Sequence, residues 1–207
     1  MANSFTITLD QVGKQYYQRW LFRDLNLSLI AGESLALVGQ NGSGKSTLLR
    51  VIAGQLSPSV GKVTYGQSGK RVPSTEIYRH ISWSAPYISL FPELTLREQY
   101  RLQARFGSFF LKEDDFLETL LLADEADKPL RFYSSGMLQR AKTGLAILAD
   151  SSVLMLDEPT SNMDDKHAAL IISLIRQYQQ SRIVILASNL EREYGEIARQ
   201  IHLGVKE

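Results

Sequence analysis

A glycine-rich segment at residues 39–46 constrains this chain more than any other feature of its sequence. It reads Gly-Gln-Asn-Gly-Ser-Gly-Lys-Ser and matches the pattern G-x-x-x-x-G-K-[ST], whose backbone amides turn inward around a phosphate. The apolar run at residues 34–38 precedes it, and a helical pattern at residues 47–55, ended by Gly54, follows it. A chance match in a glycine-rich turn is the alternative, but a preceding strand and a following helix favour an anion-binding loop.

Each residue type in this loop suits the binding of a nucleotide's phosphate chain. Glycines leave no Cβ in the way of the tight turns that bring amides to the phosphates. Lys45 would bring a mobile charge to the β- and γ-phosphates, and Ser46 would offer a hydroxyl ligand to Mg²⁺. The predicted ATP-binding residues are Gly39, Gln40, Asn41, Gly42, Ser43, Gly44, Lys45, Ser46 and Thr47.

Two adjacent carboxylates, Asp157 and Glu158, follow the apolar run at residues 153–156. The carboxyl ends of strands in an open parallel sheet line the ligand crevice, so both acids are expected beside the phosphate loop. There Asp157 would orient Mg²⁺ through its water shell, and Glu158 would polarise the attacking water as a general base. The alternative is a solvated strand exit with acidic capping residues before the helix near Asp164.

Strand and helix patterns along the whole chain predict an α/β fold. Strands are predicted at residues 5–9 (as an edge strand), 25–29, 34–38, 61–65, 81–83, 153–156 and 183–187, and helices at 47–55, 137–149 and 166–179. Strands that alternate with helices favour a largely parallel sheet, and the early strands suggest an antiparallel sheet added on one side. We predict one domain, with an ATP-binding core at residues 1–86 and 137–207 and a mostly helical insert at 87–136.

Composition narrows the class of function further. The 23 basic and 22 acidic residues leave a net charge of +1, without the clustered excess that nucleic-acid binding needs. The absence of cysteine excludes disulfides and thiolate metal sites, and fits a cytosolic protein. The first eight residues do not resemble a secretory signal, and no apolar run approaches the roughly 18–20 residues that span a bilayer. We therefore expect a partner to carry the chain to any membrane at which it works.

Residues 133–140 read Tyr-Ser-Ser-Gly-Met-Leu-Gln-Arg and lie between the two phosphate-site motifs. This segment resembles the signature sequence of ATP-binding cassette (ABC) ATPases, in the Y-S-x-G-M form common among export-type and ABC-2-type systems. The resemblance, which covers nearly the whole chain, implies a P-loop NTPase core and a signature that holds the γ-phosphate of the opposite subunit's ATP. Free amides at a helix N-terminus suit that task, although the motif alone also fits a simple N-cap and turn. The signature residues are Ser134, Ser135, Gly136 and Met137.

Two further segments resemble family elements in the expected order. Residues 159–164, which end at Asp164, resemble the D-loop that crosses the dimer interface. Tyr16, which follows Lys14, stands in the place of the aromatic residue that stacks on adenine. Tyr17 and Trp20 are nearby substitutes, and an ordinary aromatic residue at a strand edge is the alternative.

Two positions depart from the family pattern. Pro86 stands where the family usually carries a glutamine that touches Mg²⁺ and relays contact with the transporter, and proline has no side-chain donor or acceptor. Asn189 stands where a histidine usually contacts the γ-phosphate, and asparagine can hydrogen-bond but cannot carry a positive charge. We therefore expect Glu158 and Asn189 to be the catalytic residues of a slow enzyme. The three histidines, His80, His167 and His202, are interpreted as ordinary surface or packed residues.

The resemblance implies an ATP-hydrolysing subunit of a bacterial-type ABC transporter, with ATP and Mg²⁺ as cofactors. It implies a head-to-tail dimer with an identical or different cassette, a membrane permease as partner, no nucleic acid, and a cytoplasmic location on the inner face of the cell membrane. One alternative is a regulatory ATP-binding switch with little turnover, which Pro86 and Asn189 favour. A DNA-repair or translation cassette is another, but this chain lacks the long coiled-coil insert or tandem cassette usual in that class.

An apolar cluster in the predicted insert leaves two interpretations open. Phe106, Phe109, Phe110 and Leu111 either pack the insert's own core or receive a cytoplasmic helix of the membrane subunit. By the resemblance, the insert is expected to carry the surface on which the permease docks.

Overall fold

The computed structural model describes residues 5–204, and its strands form two sheets. Residues 1–4, on which part of the argument against a secretory signal rests, lie outside the described residues. The first sheet is antiparallel in the order β2-β1-β4-β5, and its strands are β1 (Phe5–Tyr16), β2 (Arg19–Ile30), β4 (Val60–Gln67) and β5 (Lys70–Val72). The second is parallel in the order β6-β7-β8-β3-β9, and its strands are β3 (Ser34–Val38), β6 (Ile81–Ser84), β7 (Val153–Asp157), β8 (Ile183–Ser188) and β9 (Gln200–His202). Both predicted sheets are confirmed.

The prediction that residues 5–9 form an edge strand is wrong. β1 pairs with β2 on one side and with β4 on the other, so it lies inside the antiparallel sheet. The alternation in the sequence instead reflects one buried face, because Phe5, Ile7 and Leu9 point into the core. Beyond Leu9, several register shifts interrupt the pairing of β1 with β2. The second half of β1 therefore lacks the regular alternation of apolar and polar residues that predicts a strand.

Residues 5–204 form six α-helices: α1 (Lys45–Ile52), α2 (Leu96–Ala104), α3 (Glu113–Thr119), α4 (Ser135–Leu148), α5 (Asp165–Tyr178) and α6 (Glu191–Tyr194). Three of them begin one or two residues before the predicted starts. Ser134 and Asp164 cap α4 and α5, since their side chains accept from the amides of Met137 and His167. Gly44, with a φ of 105°, sits at the start of α1 and lets the chain enter the helix straight from the loop.

Between residues 87 and 136 the structure contains α2, α3, two short 3₁₀ turns and no named strand. Thr95 and Glu98 form a reciprocal capping box at the start of α2. The division of the chain into a core and a helical insert remains a prediction. Across residues 5–204, every helix is too short or too polar to cross a bilayer.

The buried core forms two clusters, one on each face of the parallel sheet. Val153 and Met155 of β7 pack with α1 and the antiparallel sheet, whereas Leu154 and Leu156 pack with α4, α5 and the 87–136 segment. β7 and β8 are therefore buried on both faces, as expected of central parallel strands. The two strands end side by side with Asp157 opposite Ala187, and β3 runs parallel to β8. Polar residues that follow these three strands meet at one edge of the sheet.

Candidate functional site

The glycine-rich loop joins β3 to α1 at that edge of the sheet. A Cβ on Gly39 would lie 2.5 Å from the Leu203 carbonyl oxygen and 2.6 Å from Ser43 Oγ, so only glycine fits. The buried Lys45 ammonium folds back onto the loop and donates to the carbonyl oxygens of Gly39 at 2.7 Å and Gln40 at 3.1 Å. The loop thus closes on itself and presents the N-terminus of α1 to an anion.

Asp157 ends β7 directly beside this loop and is only 2% exposed. Burial raises the pKa of its carboxyl group above the ordinary value, and a hydrogen bond with the Ser46 side chain partly opposes that rise. Its Oδ2 atom is buried and has no hydrogen-bond partner among the residues that the structure describes. A buried carboxylate with a free oxygen next to a serine hydroxyl fits a hydrated Mg²⁺ ion.

Among the described residues, no larger group of acidic and histidine side chains offers an alternative metal site to the pair of Ser46 and Asp157. Across residues 5–204, no group of three or more histidine, aspartate or glutamate side chains is placed to hold a metal ion. Mg²⁺ is commonly held by one or two protein ligands together with phosphate oxygens and water. The pair of Ser46 and Asp157 is consistent with that mode of binding.

Glu158 turns away from the strand and faces the phosphate loop. Its φ of 50° lies in the left-handed region, which a residue with a Cβ seldom adopts and which is often found at functional sites. Its backbone amide still donates to the Ala187 carbonyl at 2.9 Å. Glu158 lines a cavity of about 210 Å³ together with Leu21, Asn41, Gly42, Gly44, Lys45, Ser46 and Thr47.

Asn189 follows β8 and reaches the same loop. Its side-chain Nδ2 donates to Asn41 Oδ1 across 3.4 Å. The structure therefore brings Asn189 to the phosphate loop, as Asp157 and Glu158 are brought there by the neighbouring strand.

The signature residues lie in a second cavity of about 290 Å³, and no residue lines both cavities. The cavity is lined by Ser134, Ser135, Gly136, Met137, Arg140, Asn162, Met163, Asp164 and His167. The His167 backbone amide, followed by its ring, holds the pKa of Asp164 below its usual range. His167, interpreted from sequence as an ordinary residue, thus lies among the predicted signature and D-loop residues.

The structure does not place Tyr16 or Pro86 in either cavity. Tyr16 ends β1, is 44% exposed, and has the Lys14 ammonium 5.2 Å from its ring centroid. Its predicted contact with adenine remains a prediction. Pro86 is exposed in the turn after β6.

Two residues that the sequence analysis did not select lie near the site. Leu21 lines the phosphate-loop cavity, close to the position that a Cβ on Gly44 would occupy. Tyr87 lies within the electrostatic influence of Asp157. Burial is the main cause that raises the pKa of Tyr87, and the negative charge of Asp157 raises it further. Neither residue belongs to a sequence motif, so only the folded chain shows their positions.

A strand, a phosphate-binding loop and a helix, with a carboxylate at the end of the neighbouring strand, define an α/β nucleotide-binding protein. The family model for ABC transporters matches residues 22–161, and the chain belongs to this family. This match includes the phosphate loop, the signature and both carboxylates. The resemblance drawn from the motifs is confirmed.

Curated relatives share this family but differ in their transport roles. The chain is 31% identical over 189 residues to a rat protein named phospholipid-transporting ATPase ABCA3, covering 89% of the chain and 11% of that protein. It is 30% identical over 193 residues to the Nod factor export ATP-binding protein I of Rhizobium johnstonii, covering 90% and 62%. It is also 30% identical over 188 residues to the arabinose import ATP-binding protein AraG 2 of Burkholderia ambifaria, covering 86% and 36%. The chain thus spans less than two thirds of the length of each relative.

Solved structures share the fold at lower sequence identity. A bacterial Atm1-family ABC exporter with ATP bound matches 98% of this chain and 37% of its own, with a TM-score of 0.81 at 21% identity. A dimeric ATP-binding cassette in a post-hydrolysis state, bound to ADP and phosphate, matches 95% of this chain and 94% of its own, with a TM-score of 0.80 at 22% identity. The predicted fold class is therefore confirmed as that of an ABC ATPase cassette.

Proposed function

We propose that this chain binds and hydrolyses ATP as the nucleotide-binding subunit of an ABC transporter. The observation that carries the proposal is the convergence of Lys45, Ser46, Asp157 and Glu158 around the phosphate loop. These groups supply the charges, hydroxyl and carboxylates that phosphoryl transfer requires. Binding to a phosphate alone would not require a second carboxylate, Glu158, facing the same cavity.

Each side chain has a distinct role in this proposal. Loop amides and the Lys45 ammonium hold the β- and γ-phosphates, and Lys45 exchanges its bonds to Gly39 and Gln40 for the phosphate oxygens. Ser46 and Asp157 would hold Mg²⁺, which would neutralise phosphate charge. Glu158 orients and deprotonates the water that attacks the γ-phosphorus.

We further propose that hydrolysis is slow. Asn189 approaches the phosphate loop but brings only a neutral amide to a position where a charged imidazole would stabilise developing negative charge. Pro86 is exposed beyond β6 and offers no polar side-chain atom to Mg²⁺. Glu158 is retained, which supports slow turnover rather than none.

The proposed working unit is a head-to-tail dimer with an identical or a different cassette. The signature and phosphate-loop cavities share no residue, so one chain offers two separate half-sites. In a head-to-tail pair, the phosphate loop of each chain would face Ser135, Gly136 and Asp164 of the other. ATP would favour the closed pair because only there would it contact both half-sites.

A groove of about 700 Å³ is the proposed docking site for a membrane permease. It lies between β6, α4 and the 87–136 segment, and its lining includes Trp83, Ile88, Leu90, Phe106 and Phe109. Phe106 is 86% exposed, which suits an apolar partner helix. Such docking would place the chain on the cytoplasmic face of the cell membrane.

The members of the predicted apolar cluster differ in their surroundings, since Phe109 and Phe110 pack against other rings whereas Phe106 is exposed. The Phe109 ring packs 4.5 Å from Tyr100 and 5.9 Å from Phe116, so it belongs to the interior of the 87–136 segment. The Phe110 ring stacks 5.2 Å from the Tyr178 ring of α5. Phe106 is therefore the member of the cluster best placed to receive a partner.

Phosphate release from ATP with Mg²⁺ tests the proposed activity. Lys45→Ala should lower turnover at least about a hundredfold, because the γ-phosphate loses its principal cation. Lys62→Ala, which removes an exposed lysine from the antiparallel sheet, is the matched control and should keep wild-type turnover. Equal turnover in wild type and Lys45→Ala would reject the proposed site.

Copurification from membranes tests the proposed docking groove. An integral membrane partner should copurify with the wild type and with Ile30→Asp, which alters an exposed residue of β2, but not with Phe106→Asp. Retention of the same partner by Phe106→Asp would reject this groove as the docking site.

A further inference from the structure

The chain segment that carries Glu158 is held from two sides by side chains of other elements. On the α4 side, Gln139 Nε2 donates to the carbonyl oxygens of Glu158 at 3.4 Å and Pro159 at 3.3 Å. Thr143 Oγ1 also donates to the Pro159 oxygen at 3.3 Å. These bonds fix the carbonyl side of the turn in which Glu158 adopts its left-handed conformation.

The opposite side of the turn is held by Glu193 of α6. Glu193 Oε1 accepts from the Thr160 backbone amide at 3.0 Å and also accepts a hydrogen bond from the Thr160 hydroxyl. Proline lacks an N–H group, so the Thr160 amide is the first backbone donor after Glu158 that α6 can hold. Thr160 and Glu193 are buried at 1% and 8% exposure, so water competes little for these bonds.

Arg192, the neighbour of Glu193, does not neutralise this carboxylate. Its Nη1 donates to Asp165 at 2.8 Å, at the start of α5, and its Nη2 donates to Thr160 Oγ1 at 3.5 Å. α6 therefore bonds Thr160 through both Glu193 and Arg192, and it bonds the first residue of α5, Asp165, through Arg192. The buried Glu193 carboxylate accepts two hydrogen bonds from Thr160 through one oxygen. We infer from these bonds that it fixes the turn rather than forming an ion pair.

α6 also follows directly from the residue that contacts the phosphate loop. Asn189 donates to Asn41, and the next residue, Leu190, donates its amide to Ser188 Oγ at 2.9 Å. Glu193 lies one turn further along. A continuous set of bonds thus joins the phosphate loop, Asn189, α6 and the turn that carries Glu158.

We propose that Glu193 is a positioning residue that, by binding Thr160, holds Glu158 in place and couples it to the Asn189 segment. This inference rests on the proposed ATP hydrolysis. Glu193 touches neither cavity of the predicted ATP site, so its loss should alter turnover rather than nucleotide binding.

The test compares Glu193→Ala with Glu193→Gln and with the control Glu196→Ala. Glu193→Ala should lower kcat about tenfold while KM for ATP stays within about twofold, because the general base is misplaced but the phosphate loop is intact. Glu193→Gln keeps a side-chain oxygen for the Thr160 amide and should retain kcat within about threefold. Glu196 makes an exposed ion pair with Arg176, and its removal should change neither constant.

Amide hydrogen exchange supplies a readout that does not depend on hydrolysis. In nucleotide-free protein, the Thr160 amide should exchange at least about tenfold faster in Glu193→Ala than in wild type, with α5 unchanged. If Glu193→Ala fails to fold, Glu193→Asp, one methylene shorter, should show the same two changes. If the wild-type protein shows no turnover, the proposed function is refuted. The exchange rate of the Thr160 amide then remains as the test of whether Glu193 holds this turn. With turnover present, a folded variant with wild-type kcat, or with only KM raised, would overturn the inference.

Discussion

The side-chain amide of Asn189 donates to the side-chain oxygen of Asn41 in the phosphate loop across 3.4 Å. This contact joins the residue after β8 to the residue three positions after β3, so both strand ends contribute to one site. Asn189 is therefore in direct contact with the phosphate loop. A charge placed at this position would act on the same phosphate that Lys45 is proposed to hold.

Replacing Asn189 with histidine should speed hydrolysis. Asn189→His introduces a side chain that can be protonated and can stabilise charge developing on the γ-phosphate, so kcat should rise about tenfold. Steady-state phosphate release is the measurement, with Asn189→Ala as the control that removes the bond to Asn41 without adding charge. No gain for Asn189→His over wild type would show that position 189 does not limit the rate.

Asp157→Asn should stabilise the nucleotide-free protein while it removes Mg²⁺-dependent hydrolysis. Burial raises the pKa of Asp157 above its ordinary value of 3.8, so the folded state binds this proton more tightly than the unfolded chain does. The free energy of unfolding of the wild type therefore falls as pH rises above 3.8. This loss is complete once Asp157 is ionised in the folded protein.

Chemical denaturation across a pH series measures this difference. At neutral pH, Asp157→Asn should exceed the wild type in free energy of unfolding, and this gain should vanish below pH 3.8. Asp124→Asn, on the exposed surface, is the control and should show no such gain. A loss of stability at pH 7 in Asp157→Asn would contradict the prediction.

Arg182→Met should destabilise the fold without touching the ATP site. Arg182 is fully buried, its pKa is lowered by burial to about 10, and it still carries its charge at neutral pH. It donates to the carbonyl oxygens of Ile147 at 2.6 Å and Ala149 at 3.0 Å, at the C-terminal end of α4. Methionine removes the side-chain donor from both oxygens, and among the described residues only Ala149 keeps another bond, from the Ser151 amide at 3.1 Å. The loss should cost about 3 kcal/mol.

Thermal unfolding checks this prediction. A loss of that size should lower Tm by roughly 6–12 °C in a chain of this length. Arg71→Met, at an exposed position in β5, should leave Tm within about 1 °C. An unchanged Tm in Arg182→Met would mean that water or other groups replace its hydrogen bonds.

Most of the fold could be predicted because its signals are local. The apolar runs that became β7 and β8 are buried on both faces, which is what a continuous apolar pattern predicts for parallel strands. The pairing of β1 could not be predicted in the same way, because alternation reveals a buried face but not a neighbouring strand. The predicted starts of α4 and α5 lie one or two residues too far along the chain, because the caps at Ser134 and Asp164 determine where these helices begin.

The site was predictable where chemistry follows a motif, and not where it depends on contacts between distant residues. Asp157 and Glu158 were expected beside the phosphate loop because they follow an apolar strand of a parallel sheet, and the structure places both there. The bond between Glu193 and Thr160 joins residues 33 positions apart, and nothing in their sequence spacing indicates it. The roles of the individual site residues in turnover stay predictions until variants are measured.

The mass of Glu158→Gln in solution tests the central claim most directly. This substitution should block hydrolysis and trap ATP between two chains, so light scattering with ATP and Mg²⁺ should report twice the chain mass of 23.3 kDa. ADP should leave the single mass, and so should Gly136→Asp added to Glu158→Gln, because a Cβ at position 136 would lie 3.0 Å from the Asn162 carbonyl oxygen. A mass that stays at 23.3 kDa while ATP binding is stoichiometric would contradict an ATP site shared between two copies of this chain.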